Sequence, residues 1–268
     1  MSGNAEVLNI SGLVIRFGGL CAVDSVSMHI DEGEFVGLIG PNGAGKTTFF
    51  NSITGNLAPN EGTITYKGKS LVKKSPDQIS HMGISRTFQN IRIFPQMSVL
   101  ENVCLPMHGK PTYDIFSAML GLPRAKREDR RIREEALNFL ERLGIAEYKD
   151  HQAGALAYGL QRRLEIARAL AADLSLLLLD EPAAGMNNDE CNELVELLRG
   201  IHKDYKLTIM LIEHHIDVVL NLCSRIYVLH LGKLLAEGSP REIQSNPDVI
   251  RAYLGDRRKR RKESMAIN

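Results

Sequence analysis

Nine consecutive residues carry the most specific pattern in this chain: Gly40-Pro41-Asn42-Gly43-Ala44-Gly45-Lys46-Thr47-Thr48. They fit G-x-x-x-x-G-K-[ST], in which glycines let the backbone curl so that its N–H groups point inward at phosphate oxygens. In such a loop Lys46 can reach the outer phosphates of a nucleotide, and the Thr47 hydroxyl can hold Mg²⁺. Taken alone, the pattern could also be a chance match in a glycine-rich turn.

The residues on either side of this loop favour the phosphate-binding interpretation. Glu34 to Ile39 is predicted to be a buried strand, and Lys46 to Gly55 a helix. A helix that begins at the loop directs its positive N-terminal end at a bound anion. The sequence therefore predicts a strand, a phosphate-binding loop and a helix in succession.

The composition is that of an ordinary globular protein of 268 residues with a formal net charge of +1, large enough for a substantial core. This balanced charge makes no case for nucleic acid or an acidic partner. The four cysteines are scattered without metal-binding spacing, as expected of reduced thiols in a cytosolic protein. The first residues are polar, and no apolar run approaches the roughly 18–20 residues that span a bilayer. Any action at a membrane is expected to go through a partner.

A second polar cluster follows the most apolar run of the chain. Leu176-Leu177-Leu178-Leu179 is predicted to be a buried strand, and it ends in Asp180-Glu181. Mg²⁺ prefers oxygen ligands such as carboxylates, water and phosphates, so Asp180 is expected to act together with Thr47. Glu181 would face the other way and could orient or deprotonate a water for in-line attack on a γ-phosphate. The alternative is a strand end with solvated acids, which the phosphate-binding loop upstream disfavours.

Three further side chains could serve the same site. Gln89 ends a predicted strand and could reach both the metal and the attacking water. His214 could donate to the γ-phosphate, although His215 beside it leaves the assignment ambiguous. Phe17 could stack on a base or be a plain core residue. These residues together predict an Mg²⁺-dependent nucleoside triphosphatase of the P-loop class.

Other stretches are predicted from periodicity and composition alone. Lys126–Gly144 and Gln161–Ala172 are predicted helices, and Ser98 should open another through a capping box. Met107 to Arg124 is either a short helix packed on the body or an apolar patch that faces a partner. The six cations from Arg257 to Lys262 are expected to form a solvated, disordered end. Attraction of this end to anionic lipid or nucleic acid is the alternative.

The subclass is indicated by the stretch Leu156-Ala157-Tyr158-Gly159-Leu160-Gln161-Arg162-Arg163, which resembles the signature of ABC-type ATPases. The order of the motifs along the chain is similar to that family as well, and the resemblance extends from Leu8 to Gly255. It implies an α/β P-loop NTPase fold with a RecA-like core, an antiparallel β-subdomain and a helical subdomain at roughly residues 90–172. By this resemblance residues 6–255 form a single domain, and residues 256–268 are a basic tail.

The resemblance also implies a head-to-tail dimer of two cassettes around two ATP molecules. The N-terminus of each signature helix, with the Tyr158 and Gly159 N–H groups, would face the ATP held by the partner's phosphate loop. Hydrolysis would then reopen the dimer. Phe17 becomes the adenine-stacking aromatic, Glu181 the catalytic carboxylate and His214 the switch histidine.

The resemblance thereby implies four sets of site residues. Those expected to bind ATP are Phe17, Val23, Pro41, Asn42, Gly43, Ala44, Gly45, Lys46, Thr47 and Thr48. Those expected to face the partner's ATP are Ala157, Tyr158, Gly159, Leu160 and Gln161. The catalytic set is Glu181, His214 and Gln89, and the Mg²⁺ set is Thr47, Gln89 and Asp180.

A narrower resemblance, to the ATPases of branched-chain amino-acid importers, rests on Phe94 and on residues 83–90, 101–103, 118–123, 181–187, 212–214 and 246–255. It implies two membrane permeases, a second homologous ATPase or a second copy of this chain, an extracytoplasmic substrate-binding protein, and no nucleic acid. The chain resembles the longer of the two ATPases and would lie at the cytoplasmic face of the inner membrane. The alternatives are a urea or amide importer, lipopolysaccharide export, or a soluble ABC ATPase acting in translation or DNA repair.

Four positions depart from the family pattern, and one of them is His215, which replaces a common Asp beside the switch histidine. Ala157 stands where the signature usually has Ser, Leu160 replaces a usual Gln, and Asn187 stands where many members have Asp. The hypothesis is that the ATP site built from this signature turns over more slowly than its mate. In that case Leu160→Gln should raise the ATPase activity of the full complex.

Overall fold

The computed structural model describes residues 5–87, 91–108 and 123–253. Three predictions fall outside these ranges: the role of Gln89, the nature of most of the segment from Met107 to Arg124, and the basic tail.

The elements alternate between strands and helices through most of the chain. The strands are β1 (Glu6–Phe17), β2 (Leu20–Asp31), β3 (Phe35–Ile39), β4 (Glu61–Tyr66), β5 (Lys69–Ser70), β6 (Ile84–Arg86), β7 (Leu176–Asp180), β8 (Thr208–Ile212), β9 (Arg225–His230) and β10 (Lys233–Gly238). The helices are α1 (Lys46–Ile53), α2 (Pro76–His81), α3 (Val99–Met107), α4 (Pro123–Arg142), α5 (Tyr158–Leu170), α6 (Asn188–Tyr205), α7 (Ile216–Leu222), α8 (Pro240–Ser245) and α9 (residues 247–253). None of the helices in the described ranges has the length and apolar character needed to cross a bilayer.

The smaller sheet is antiparallel, with its strands in the order β2-β1-β4-β5. β1 and β2 form a long hairpin whose turn, Gly18-Gly19, places Phe17 opposite Leu20. Val26, Met28 and Ile30 of β2 are buried and the residues between them are more exposed, as in a strand with one face against the core.

The larger sheet has the strand order β10-β9-β3-β8-β7-β6 within the described residues. Its neighbours are parallel from β6 to β9, and β10 returns antiparallel beside β9. Because parallel strands end at one edge of a sheet, the loops after β3, β7 and β8 meet there. The first of these loops is the phosphate-binding loop, the second begins with Glu181, and the third contains Glu213 and His214.

The central strands β3, β7 and β8 are buried on both faces, as parallel strands usually are. In β7, Leu177 and Leu179 belong to a core that includes α4, α5 and α6. Leu176 and Leu178 point the other way, into a core shared with β1, β2 and α1. The larger sheet therefore separates two cores.

Several predicted boundaries differ from the observed ones. α5 begins at Tyr158 and not at Gln161, because the Gln161 N–H already bonds the Ala157 carbonyl and closes a turn there. β6 covers only Ile84–Arg86 of the strand predicted to end at Gln89. The capping box at Ser98 is confirmed, with reciprocal hydrogen bonds between Ser98 and Glu101.

Candidate functional site

The phosphate loop approaches two neighbouring strands so closely that it requires glycine at both ends. Gly40 has φ 156° and Gly45 has φ 101°. A Cβ on Gly40 would lie 2.1 Å from the Leu229 carbonyl oxygen, and a Cβ on Gly45 would lie 2.4 Å from that of Ala22. Both neighbours are backbone atoms, so no side-chain movement could relieve the contacts. The curl of the loop against β9 and β2 therefore depends on these two glycines.

Lys46 is buried inside the curl of the loop. Its Nζ donates to the carbonyl oxygens of Gly40, at 2.7 Å, and Pro41, at 3.2 Å. Burial lowers the pKa of Lys46, and the nearby carboxylates of Glu181 and Asp180 oppose that shift. The loop thus places the Lys46 ammonium near the carboxylates of Glu181 and Asp180. An anion bound in the loop would be attracted to this ammonium.

A cavity of about 850 Å³ opens over the loop. α1 begins at Gly45 without a side-chain cap, so the N–H groups of its first turn are available to an anion. An uncapped helix start, a glycine cradle and a buried lysine fit the phosphates of a nucleotide. The lining residues are Phe17, Leu20, Cys21, Ala22, Asn42, Gly43, Ala44, Gly45, Lys46, Thr47, Thr48, Glu181, His214, Leu231 and Gly232.

Two residues predicted to bind ATP lie off this wall. Val23 and Pro41 are both buried, and Val23 packs against Gly45 from inside the core, so they support the loop from behind. Phe17 is 50% exposed, so its alternative interpretation as a core residue is wrong. Leu231, at 75% exposed, shares the cavity with Phe17.

Glu181 and His214 meet at the cavity. The His214 Nε2 lies 2.8 Å from Glu181 Oε1, with Glu181 the more buried of the two side chains. Glu181 has φ 49°, a left-handed conformation that strains a residue with a long side chain. Its N–H donates to the Ile212 carbonyl at 2.9 Å, which ties this strained turn to the end of β8. The ambiguity between the two histidines is thereby reduced, since His214 is the one that contacts the carboxylate.

Asp180 is buried at the end of β7, with Oδ2 2.6 Å from the Arg86 Nη2. Arg86 also donates to the Asn51 Oδ1 at 2.8 Å, so the ion pair reaches α1. Thr47 lies on the cavity wall, whereas Asp180 is buried and is not among the lining residues. The Thr47 hydroxyl and the Asp180 carboxylate are oxygen donors of the kind that Mg²⁺ prefers. These two residues fit a Mg²⁺ site, and the third predicted ligand, Gln89, is outside the described residues.

Three of the five predicted signature residues, Ala157, Tyr158 and Gly159, border a separate cavity of about 530 Å³, and Leu160 and Gln161 are not among its lining residues. Ala157 occupies the N-cap position of α5, and no side chain caps that helix. Leu160 packs partly against the helical core, and the Gln161 Nε2 donates to the Leu156 carbonyl at 2.9 Å. The lining residues are Ala157, Tyr158, Gly159, Ala184, Gly185, Met186 and Glu190. The chain thus presents its phosphate loop and its signature on two different cavities.

Three residues near the site were not singled out from the sequence. Arg86 had a partial signal, a cation within a predicted strand, but nothing near it in the chain identifies Asp180 as its partner. Glu213 had a weaker one, an acid at the end of an apolar strand. The exposure of Leu231 had none, because a leucine in a turn gives no indication of which cavity it borders.

A parallel sheet that ends in a phosphate loop, with acids at the ends of neighbouring strands, is the arrangement of P-loop nucleotide-binding proteins. The family model described as "ABC transporter" matches residues 23–184. The chain belongs to this ABC transporter family, as its ATP-binding subunit, and this membership implies nucleotide binding and ATPase activity. The predicted family and fold class are confirmed.

Relatives narrow the comparison further. A second model, "Branched-chain amino acid ATP-binding cassette transporter", matches residues 233–259. The chain is 47% identical over 250 residues to the high-affinity branched-chain amino acid transport ATP-binding protein LivG of Salmonella typhimurium, covering 93% of this chain and 98% of LivG. It is 41% identical to BraF of Pseudomonas aeruginosa, which carries the same description, with the same coverage of both chains.

Solved structures of the family have the same fold. The ADP conformation of MJ1267, an ATP-binding cassette of an ABC transporter, superposes with a TM-score of 0.81 at 32% identity, over 94% of this chain and 100% of that one. A dimeric structure of MJ0796, a bacterial ABC transporter cassette, gives a TM-score of 0.73 at 26% identity, over 87% and 99% of the two chains.

Proposed function

We propose that this chain is the Mg²⁺-dependent ATPase subunit of an importer of branched-chain amino acids. The observation that carries the proposal is the likeness to LivG, at 47% identity over 250 residues. The match of residues 233–259 to the branched-chain family model supports the same substrate class.

Different residues at the main cavity bind different parts of ATP. The loop N–H groups, the start of α1 and Lys46 bind the phosphates, because each presents positive charge or a donor there. Phe17 offers a face on which the base stacks. Thr47 and Asp180 hold Mg²⁺, which supplies charge neutralisation at the phosphate oxygens when bound.

Glu181 is the general base in this proposal. Its carboxylate accepts the proton of the attacking water, which it also orients toward the γ-phosphate. His214 holds Oε1 of that carboxylate through Nε2, which fixes the orientation of the base at the cavity. The His214 imidazole would also donate to an oxygen of the γ-phosphate, the role predicted for it from the sequence.

A closed dimer supplies the remaining half of each site. The signature lies on a different cavity from the phosphate loop of the same chain, so a second cassette brings its own signature to this ATP. The uncapped start of α5, with the N–H groups of Tyr158 and Gly159, is a donor site for that purpose. The second cassette is a homologous ATPase or another copy of this chain.

The other partners are two membrane permeases and, outside the membrane, a substrate-binding protein that delivers the amino acid. The chain acts at the cytoplasmic face of the inner membrane, bound to the permeases and to no nucleic acid. The experiment is a gentle-detergent pull-down of the tagged chain from its own cells, followed by identification of its companions. Two polytopic membrane chains and a second ATPase are expected. Recovery of ribosomes or DNA, with no membrane protein, would discard transport and leave the ATPase chemistry standing.

A second measurement addresses the metal. ATPase activity of the purified complex is expected with Mg²⁺ and should disappear when the metal is chelated and return when it is restored. Activity that is indifferent to chelation would contradict the Mg²⁺ assignment.

A further inference from the structure

Glu213 is a buried acid with an unusual set of partners. It follows β8 directly and is 1% exposed. Its Oε1 accepts the Ala183 N–H at 2.7 Å. Its Oε2 accepts the N–H groups of His214, at 2.8 Å, and His215, at 3.2 Å, and lies 3.3 Å from the His215 Nδ1. A carboxylate can accept at both oxygens at once, and here each oxygen serves a different loop.

The two loops are those that carry the reacting side chains. Ala183 belongs to the turn that starts with Glu181 after β7, and His214 starts the turn after β8. The two strands are parallel neighbours, with Asp180 opposite Ile212. The buried Glu213 therefore connects the loop after β8 to the turn after β7 by hydrogen bonds. The contact between Glu181 and His214 connects the same two segments at the cavity.

The surroundings show that this acid is satisfied chiefly by backbone. No arginine or lysine forms an ion pair with Glu213 among the residues that the structure describes; its one charged-type partner there is His215. A buried acid would be costly without hydrogen bonds to its charged form, and three N–H groups provide them. The strained φ of Glu181 also needs surrounding contacts to hold it, and the bond to Ala183 lies two residues further along the same turn.

We propose that Glu213 is a positioning residue for hydrolysis, which sets the turns after β7 and β8 in the register that brings His214 Nε2 to Glu181 Oε1. It is not among the residues that line the phosphate-loop cavity, and it acts through Glu181 and His214. The inference rests on the proposed function, since it assumes that these two side chains carry the reaction.

The test is a double-mutant cycle in the purified full-length protein within its transport complex. Glu213→Gln keeps the size of the side chain but replaces one carboxylate oxygen with an NH₂ group. That group cannot accept the hydrogen bond from Ala183 or, in the other orientation, those from His214 and His215. We expect kcat to fall by about tenfold or more, while KM for ATP changes by less than about threefold, because the geometry of the base is lost and the phosphate loop is not. His214→Ala should lower kcat too. The kcat of the double variant should be at most about threefold lower than that of the less active single variant. Both substitutions disrupt the same arrangement of Glu181 and His214, so their effects should not multiply.

Two controls separate a positioning role from a general loss of stability. Glu34→Gln changes another partly buried acid, which accepts the Asp31 N–H and pairs with Arg225 at the opposite end of β3. Its effect should be independent of His214→Ala. If Glu213→Gln fails to fold, Glu213→Asp keeps the charge but is too short to reach both loops, and the same cycle is run on it. Multiplicative effects of Glu213 and His214, or a rise in KM that matches the fall in kcat, would overturn the proposal.

Amide hydrogen exchange without nucleotide distinguishes this inference from the proposed function. Glu213→Gln should speed exchange at the amides of Ala183, His214 and His215, and leave those of the phosphate loop unchanged. If the wild-type complex hydrolyses no ATP, the proposed function fails and the exchange result alone decides the positioning role. Unchanged exchange at these three amides overturns the positioning role even in an active ATPase.

Discussion

The Nε2 of His214 lies 2.8 Å from Oε1 of Glu181, across the mouth of the phosphate-loop cavity. The two residues follow adjacent parallel strands, and the contact holds one oxygen of the Glu181 carboxylate. The carboxylate is therefore oriented before any water or nucleotide arrives.

Glu181→Gln tests the role of that carboxylate. The amide has the same shape and can still contact His214, so ATP binding should be retained. Hydrolysis should fall by about 10²–10⁴-fold, since the general base is removed. Nucleotide affinity and single-turnover hydrolysis measure the two effects separately. Glu196→Gln, an exposed acid on α6, is the matched control, and turnover equal to that control would show that another group is the base.

Gly45→Ala tests the cradle of the phosphate loop. The new Cβ would lie 2.4 Å from the Ala22 carbonyl oxygen, at a φ of 101°, so the loop must shift and nucleotide affinity should fall by at least about tenfold. Gly68→Ala has a similar positive φ of 73° but no atom within 4 Å, so it controls for backbone strain alone. Isothermal titration with ATP compares the two variants. Equal affinities would show that the close contact does not shape the site.

Arg86→Met tests the buried ion pair with Asp180. Both side chains are nearly inaccessible, at 6% and 4%, so removing the guanidinium leaves a buried charge without its main partner. The free energy of unfolding should fall by about 3–5 kcal/mol. Urea denaturation of the nucleotide-free protein measures it. A decrease in the free energy of unfolding of less than about 1 kcal/mol would show that this buried pair stabilises the fold no more than an exposed ion pair does.

Ala157→Ser tests the uncapped start of α5. Ala157 already has the extended N-cap backbone, with φ −60° and ψ 152°, so a serine oxygen could accept an N–H of the first turn. The free energy of unfolding should rise by about 1 kcal/mol. Thermal denaturation of the chain without nucleotide detects it. Ala157→Val, which adds bulk without an acceptor, should give no such gain, and equal stabilisation by both substitutions would rule out capping as the cause.

The motifs that bind phosphate and the strands that support them could be predicted from the sequence, because each depends on neighbours in the chain. The glycines of the phosphate loop and the apolar run before Asp180 are of this kind. Even α2 had a local signal that was overlooked, since Ser75 and Gln78 form a capping box and Pro76 follows Ser75.

Contacts between distant segments could not be predicted in the same way. Arg86 meets Asp180 across 94 positions of sequence, and Glu213 meets Ala183 across 30. Which strand lies beside which decides those pairs, and that order is a property of the sheet as a whole. The start of α5 was placed too late for a different reason, because Ala157 gives no capping signal.

Adjacent residues of β7 pack in different cores. Leu177 packs with the helices of one core, and Leu178 with the nucleotide-binding core on the other side. A substitution at Leu177 changes the core against which the signature helix α5 packs. A substitution at Leu178 changes the core that contains α1, the helix that follows the phosphate loop. Two side chains that are adjacent in the chain can therefore be altered separately, one acting on the helices that carry the signature and the other on the nucleotide cradle.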